Sequence, residues 1–151
     1  MATGVFDLLH PGHIYFLSEA RKLGDELVVV VARDSTARKF KHEPITSEAS
    51  RVQMVAALKP VDRAVLGHEG DIYAILDEIR PDVIALGYDQ VHNEEKILEE
   101  CRRRGLRTKV VRLPRFEGDL DGTRKIVRKV AEWLALQERL KHVEGGRPPA
   151  D

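Results

Sequence analysis

The run Leu27-Val28-Val29-Val30-Val31 narrows the possible folds more than any other stretch of the chain. Consecutive valines put apolar groups on both sides of a strand, the pattern of a strand covered on two faces rather than one. The run lies within Glu26 to Ala32, and shorter runs of similar character occupy Met1 to Val5, Val61 to Leu66, Asp82 to Leu86 and Arg107 to Leu113. Longer stretches with helical signals separate them: His13 to Leu23, Ser47 to Leu58, Asp71 to Ile79, Asn93 to Arg104 and Gly122 to Leu140. Ser47 is placed to cap the second of these, Pro60 and Pro81 to stop the second and third, and Gly105 to end the fourth in the left-handed region. Strands alternating with helices predict an α/β fold with a parallel sheet covered on both faces.

With 151 residues the chain is long enough for one domain with a proper core. No repeat or linker divides it, so residues 1–142 are expected to form the domain and 143–151 a disordered tail. The last helix is expected to pack through Ile126, Val127, Val130, Trp133 and Leu134. The first strand is short for a central one, and an upstream extension of the reading frame would lengthen it. The 25 basic and 25 acidic side chains cancel. Such a surface carries no electrostatic footprint for nucleic acid or an anionic membrane, and neither partner is expected. Without a membrane-length apolar run or a signal peptide, a cytoplasmic location is expected. One cysteine, Cys101, excludes an internal disulfide.

The stretch that promises chemistry is Gly4-Val5-Phe6-Asp7-Leu8-Leu9-His10-Pro11-Gly12-His13. It joins the first extended run to an amphipathic helix, and a helix start presents unpaired N–H groups and positive dipole to anions. Pro11 suits the first helical turn, and Gly12 keeps a Cβ out of the way of a ligand. His10 and His13 fall on one side of that turn, where imidazoles donate to phosphate oxygens. Two histidines could also start a zinc site, but zinc takes three or four protein ligands. Cys101, His42, His68, His92 and His142 show no ligand spacing, so no metal-ligating residue is assigned. Ordinary capping would also explain an arbitrary H-x-x-H; the flanking G-x-F-D and the Pro-Gly pair favour a binding turn.

In an open parallel sheet, ligands bind beyond the carboxyl ends of the strands, which singles out three further segments. Arg33 to Lys41 is a basic stretch that reads as a loop able to fold over a polyphosphate, or as a plain solvated loop. Gly87-Tyr88-Asp89-Gln90 offers an acceptor and a donor for ribose or a base edge, or a simple turn before a helix capped by Asn93. Pro114 to Thr123 is long for a connection, and long loops before a helix are often functional. Arg51, inside the second helix, reads as a surface partner of Glu48.

The G-x-F-D-x-x-H-x-G-H pattern, carried here by Gly4, Phe6, Asp7, His10, Gly12 and His13, resembles the signature of the cytidylyltransferase-like nucleotidylyltransferase superfamily. Val5 departs from it, standing where the family often has threonine. The resemblance implies a single-domain Rossmann-like fold, a five-stranded parallel sheet of order 3-2-1-4-5 with helices on both faces. It also implies that His10, His13 and Lys39 or Lys41 stabilise charge during transfer, and that Arg51 supports the phosphate or acceptor site. Nucleotide contacts are implied at Gly4, Val5, Phe6, His10, Pro11, Gly12, His13, Asp89, Arg115, Phe116 and Thr123. Arg115, Glu117 and Gly118 match the R-x-E-G segment of cytidylyltransferases.

Four further pieces are similar to the archaeal-type FAD synthases: Val31 to Asp34, Met54 to Asp62, Ile84 to Gln90 and Asp119 to Arg124. That resemblance implies transfer of AMP from ATP to FMN by in-line displacement, with a divalent metal, magnesium, held mainly by the ATP phosphates. Members of the superfamily are often dimers, which makes a homodimer an expectation. Two other readings stay open: a glycerol-3-phosphate cytidylyltransferase, favoured by Arg115 to Gly118, and a nucleotide-binding regulator without turnover.

Overall fold

The structure is a computed structural model that describes residues 1–40, 43–90 and 92–144. In chain order the elements are β1 (Ala2–Gly4), α1 (Pro11–Arg21), β2 (Val28–Val31), α2 (Asp34–Phe40), α3 (Glu48–Ala56), β3 (Arg63–Leu66), α4 (Ile75–Ile79), β4 (Val83–Leu86), α5 (Glu94–Arg103), β5 (Lys109–Arg112) and α6 (Thr123–Glu144). The five strands form one parallel sheet of order β3-β2-β1-β4-β5. This is the expected Rossmann-like order, with the reversal of strand order at β1 and β4. The register sets Thr3 beside Val30 and Ala2 beside Ala85.

Burial on both faces explains the valine run. Val29 and Val31 join a cluster with Leu17 and Ala20 of α1 and Val55 of α3, while Val28 and Val30, pointing the other way along the strand, are also buried. A second cluster joins Ile84 and Leu86 of β4 to Leu76 of α4 and to Ile97 and Cys101 of α5. No helix among the described residues is long and apolar enough to cross a membrane.

Local caps follow the sequence. The Ser47 side chain accepts from the Ser50 N–H, Asn93 does the same for Lys96, and Gly105 takes a φ of +68° after α5. Three expectations are corrected. The basic stretch after β2 is the helix α2 rather than a loop, because Ala37 is buried and the Asp34 carboxylate is anchored to Arg51 of α3. The third predicted helix begins only at Ile75, since the Asp71 side chain turns back to accept from the Tyr73 N–H. The apolar side of α6 is largely uncovered: Ile126 is half-buried, but Val127, Val130, Leu134 and Leu140 are exposed, and Trp133 is 60% exposed. Of the expected tail, residues 143 and 144 belong to α6 and the rest lies outside the described residues.

Candidate active site

The histidine turn is built on close backbone approaches. Gly4 ends β1, and a Cβ there would lie 2.9 Å from the Phe6 ring. Phe6 and Leu8 have φ of 55° and 47°, a left-handed conformation that side chains adopt only when their surroundings impose it. The turn thereby folds Phe6 back into the core, where its edge meets the His13 ring at 5.3 Å. The Phe6 side chain, expected to touch nucleotide, is buried here and packs against His13. His10 holds an extended conformation just before α1, Pro11 takes the first helical position, and the His10 carbonyl accepts from the His13 N–H at 2.9 Å. The two imidazoles stack with centroids 3.7 Å apart and planes 22° from parallel. His10 is buried, as are both Nδ1 atoms. A ring pair at the start of an eleven-residue helix, at the carboxyl end of the central strand, concentrates donors and positive dipole at one point.

A buried ionic network holds this turn in place. The Asp7 carboxylate accepts from the backbone N–H groups of Ile45 and Thr46, at 2.8 and 3.0 Å, and from the Thr46 hydroxyl at 2.7 Å. The Thr123 hydroxyl donates to the Asp7 carbonyl at 2.7 Å, so Thr123, expected as a nucleotide contact, latches the start of α6 onto the turn. Arg51, wholly buried, donates to the Val5 carbonyl at 2.6 Å, to the Thr46 carbonyl at 3.1 Å and to the Asp34 carboxylate. Glu48 completes the set by accepting from the Asp34 N–H and the Arg33 guanidinium, each at 2.8 Å. Arg51 is thus a core brace and neither a surface partner of Glu48 nor a group aimed at phosphate. Burial opposes ionisation of Asp7, but the hydrogen bonds from Ile45 and Thr46 and the nearby Arg51 outweigh it and hold its carboxyl below the usual range. Asp34 is likewise opposed by burial and lowered on balance by Arg51 and the Glu48 backbone.

Of the remaining expected residues, Asp89, Arg115 and Phe116 lie on loops that follow β4 and β5. Lys39 is exposed in the last turn of α2; Lys41 lies outside the described residues. Tyr88 and Asp89 are exposed after β4. Gln90 is spoken for: it donates to the Thr3 carbonyl at 2.6 Å and accepts from the Gly87 N–H at 3.1 Å, tying this loop to β1. Arg112, which the sequence reading treated as a strand residue only, organises the same loop by donating to the carbonyls of Gly87, Gln90 and His92. Its signal was there to find, a long cation at the last position of β5 beside β4. After β5, Arg115 donates to Asp121 at 3.1 Å and lies 5.4 Å from the Tyr88 ring centre, joining the two loops. Lys125 also pairs with Asp121, at 2.7 Å, and this pairing above all keeps the Asp121 carboxyl ionised to lower pH than usual. A Cβ on Gly12 would lie 2.8 Å from the Asp121 carbonyl. The space beside Gly12, expected to admit a ligand, is filled here by that carbonyl and the His10 ring. Phe116 packs against Tyr15 of α1 at 5.3 Å.

The arrangement can bind an anion at the histidine pair, present cations from α2 and the 114–122 loop, and offer a carboxylate at Asp89. Among the described residues no three His, Cys, Asp or Glu side chains converge as a metal cage.

A family model described as Cytidylyltransferase-like matches residues 1–129. A FAD synthase from Aciduliprofundum boonei is 62% identical over 133 residues, 87% of this chain and 89% of the relative. A FAD synthase from Archaeoglobus profundus is 50% identical over 145 residues, 95% of this chain and 92% of that relative. Among solved structures, the lipopolysaccharide core biosynthesis protein from Thermoplasma volcanium GSS1 superposes with a TM-score of 0.75 at 53% identity, covering 78% of this chain and 96% of the other.

Proposed function

The chain belongs to the cytidylyltransferase-like family, and from that premise we propose that it is an FMN adenylyltransferase, transferring AMP from ATP to FMN to give FAD and pyrophosphate. The observation that carries this reading is the stacked His10–His13 pair at the start of α1. A phosphate oxygen of FMN attacks the α-phosphorus of ATP, the bond to the bridging oxygen of pyrophosphate breaks, and the leaving group departs in line. The acceptor phosphate is already anionic at neutral pH, so no general base is needed and the site's task is alignment and charge stabilisation. His10, His13 and the helix start supply donors to the phosphates, with Lys39 or Lys41 and Arg115 adding charge from either side. Pro11, Gly12 and the backbone of Gly4 and Val5 shape the turn beneath them, and Asp89 accepts from ribose hydroxyls. Phe6 and Thr123 act by positioning. Magnesium would enter on ATP, held by phosphate oxygens and water rather than by a protein cage, and would neutralise part of the triphosphate charge.

A homodimer is the assembly we favour, with α6 as its seam. The exposed Val127, Val130, Trp133, Leu134 and Leu140 recur at helical spacing along it. Antiparallel pairing of two copies would bring these side chains together and oppose the helix dipoles. Sedimentation of the protein and of Trp133→Glu tests it: dimer for the first, monomer for the second.

The activity is tested by incubating the protein and magnesium with ATP plus FMN, or with CTP plus glycerol 3-phosphate, and following pyrophosphate and product mass. FAD is the expected product. CDP-glycerol, or nucleotide binding without turnover, overturns the assignment.

A further inference from the structure

Beside His10 the surface opens into a shallow cavity of about 590 Å³ on the outer side of α1. Leu9, Pro11, Ile14, Tyr15 and Phe116 line it together with His10, and Ser18 contributes an aliphatic hydroxyl. Among the described residues, no Asp, Glu, Lys or Arg side chain lines it. Two details mark it as built. Phe116 is folded back over its own loop, so closely that a Cβ on Gly118 would sit 2.5 Å from its ring, and glycine at 118 is what permits that position. The ring then meets Tyr15 at 5.3 Å with the planes tilted by 36°, leaving an aromatic wall and an aliphatic one, to which the 43% exposed Ile14 belongs.

The chemistry of the walls discriminates between the two flat rings in the reaction. Adenine carries hydrogen-bonding nitrogens around most of its edge, and a carbon-lined cavity would strip them of water without replacing it. The tricyclic isoalloxazine ends in a dimethylbenzene edge that has no polar group, and its broad face suits stacking on Tyr15 or Phe116. Groups that an adenosine could use lie elsewhere, on the loop after β4 with Asp89 and its neighbouring backbone. We propose that this cavity seats the isoalloxazine of FMN, dimethylbenzene edge inward, with the ribityl chain running past His10 so that its phosphate reaches the histidine pair. The inference rests on FMN being the acceptor and adds where its ring is held.

Ile14→Glu tests it, because Ile14 is exposed and the substitution puts a charge into the apolar wall without entering the core. Flavin binding is read directly by quenching of FMN fluorescence, and steady-state rates give KM for FMN and for ATP separately. The expected result is quenching by the wild-type protein and, in Ile14→Glu, a rise of about tenfold or more in Kd and KM for FMN, with KM for ATP little changed. Ile14→Leu should return the FMN constants to near wild type. Ribitol 5-phosphate, an acceptor without the ring, should be used equally by wild type and Ile14→Glu. If wild type makes FAD but Ile14→Glu alters KM for ATP, or neither KM, the cavity does not hold the flavin and the assigned activity stands. If wild type neither makes FAD nor quenches FMN, both the activity and the cavity assignment fall.

Discussion

Arg51 and Arg115 stand on opposite sides of the histidine turn and are held in opposite ways. The Arg51 side chain has no exposed surface and spends its donors on two backbone carbonyls and Asp34. Arg115 is 53% exposed and holds the loop after β5 through one bond to Asp121. Removing a partner from a buried, fully bonded ionic set leaves an uncompensated charge in the core, whereas an exposed pair is screened by water and contributes little. The wall that carries Asp7, α2 and α3 is therefore a rigid frame that fixes the turn's left-handed residues. The wall formed by residues 114–122 is tied by ion pairs whose cations, Arg115, Lys125 and Lys129, are partly exposed, which makes it the more adjustable of the two.

The largest effect should come from breaking the frame. Arg51→Ala is expected to destabilise the protein by about 3–5 kcal/mol, the scale for unpairing a buried charge, measured by urea unfolding. Arg51→Lys should recover little, because an ammonium cannot serve the same three acceptors in the guanidinium's plane. A loss below about 1 kcal/mol for Arg51→Ala would mean that the network is decoration and that the two walls do not differ. Next in size, His10→Ala and His13→Ala should each lower kcat by roughly 10²–10³, as for loss of one preorganised donor. His10 and His13 stack at the start of α1, where the proposed chemistry puts phosphate, so turnover should fall much further than stability. Near-normal kcat in both variants would remove them from the chemistry.

The sequence made the sheet readable and much of the frame unreadable, for a physical reason. A strand buried on both faces is written locally, in four adjacent valines, and caps such as Ser47, Asn93 and Gly105 act within three residues of themselves. The histidine turn was legible for the same reason, since its parts are contiguous. Asp7 finds its partners at Ile45 and Thr46, and Thr123 reaches back to Asp7 from the far end of the chain. Nothing near any of these residues announces the other. The same is true of α2, a polar segment made helical by a tie to α3, and of Arg112, whose acceptors belong to the neighbouring strand's loop. For α6, periodicity identified an apolar side but could not say that the domain leaves it uncovered.

Acid should weaken the frame more gently than mutation, together with the Asp121 pairs of the other wall, whose carboxyl is lowered as well. The Asp7, Asp34 and Glu48 carboxyls all lie below their usual range in the folded protein. A carboxyl with a depressed folded pKa contributes stability that is complete above its unfolded value, about 4, and is lost as pH falls through the folded value. Protonation of Asp34 removes an acceptor that Arg51 uses and leaves the guanidinium in the core. Stability to urea should thus be nearly flat from neutral pH to about 5 and fall below about 4. Asp7→Asn, already lacking one of the titrating groups, should be less stable at neutral pH and show a shallower acid limb. An acid limb as steep as that of the wild type would mean that Asp7 titrates alike in folded and unfolded chains.

The smallest structural effect belongs to Arg115, and its functional signature is where the adjustable wall can be caught. A guanidinium is a cation at any working pH, and the pairing of Arg115 with Asp121 above all raises its pKa further. Asp121 keeps Lys125 as a partner when Arg115 is removed. Arg115→Ala should therefore leave the melting midpoint close to that of the wild type. In the free protein the guanidinium is engaged by Asp121 and leans on Tyr88, and an arriving triphosphate competes for it as a denser anion that accepts two bonds at once. The exchange costs one exposed ion pair and gains a charge-assisted contact to substrate, so the loss in Arg115→Ala should fall mainly on KM for ATP and less on kcat. Because exposed charges are screened within about 8–10 Å at moderate ionic strength, added salt should raise KM for ATP in the wild type and do so less in Arg115→Ala. Equal salt dependence in the two proteins would leave Arg115 a loop tether alone, and the adjustable wall would then lack a role in nucleotide capture.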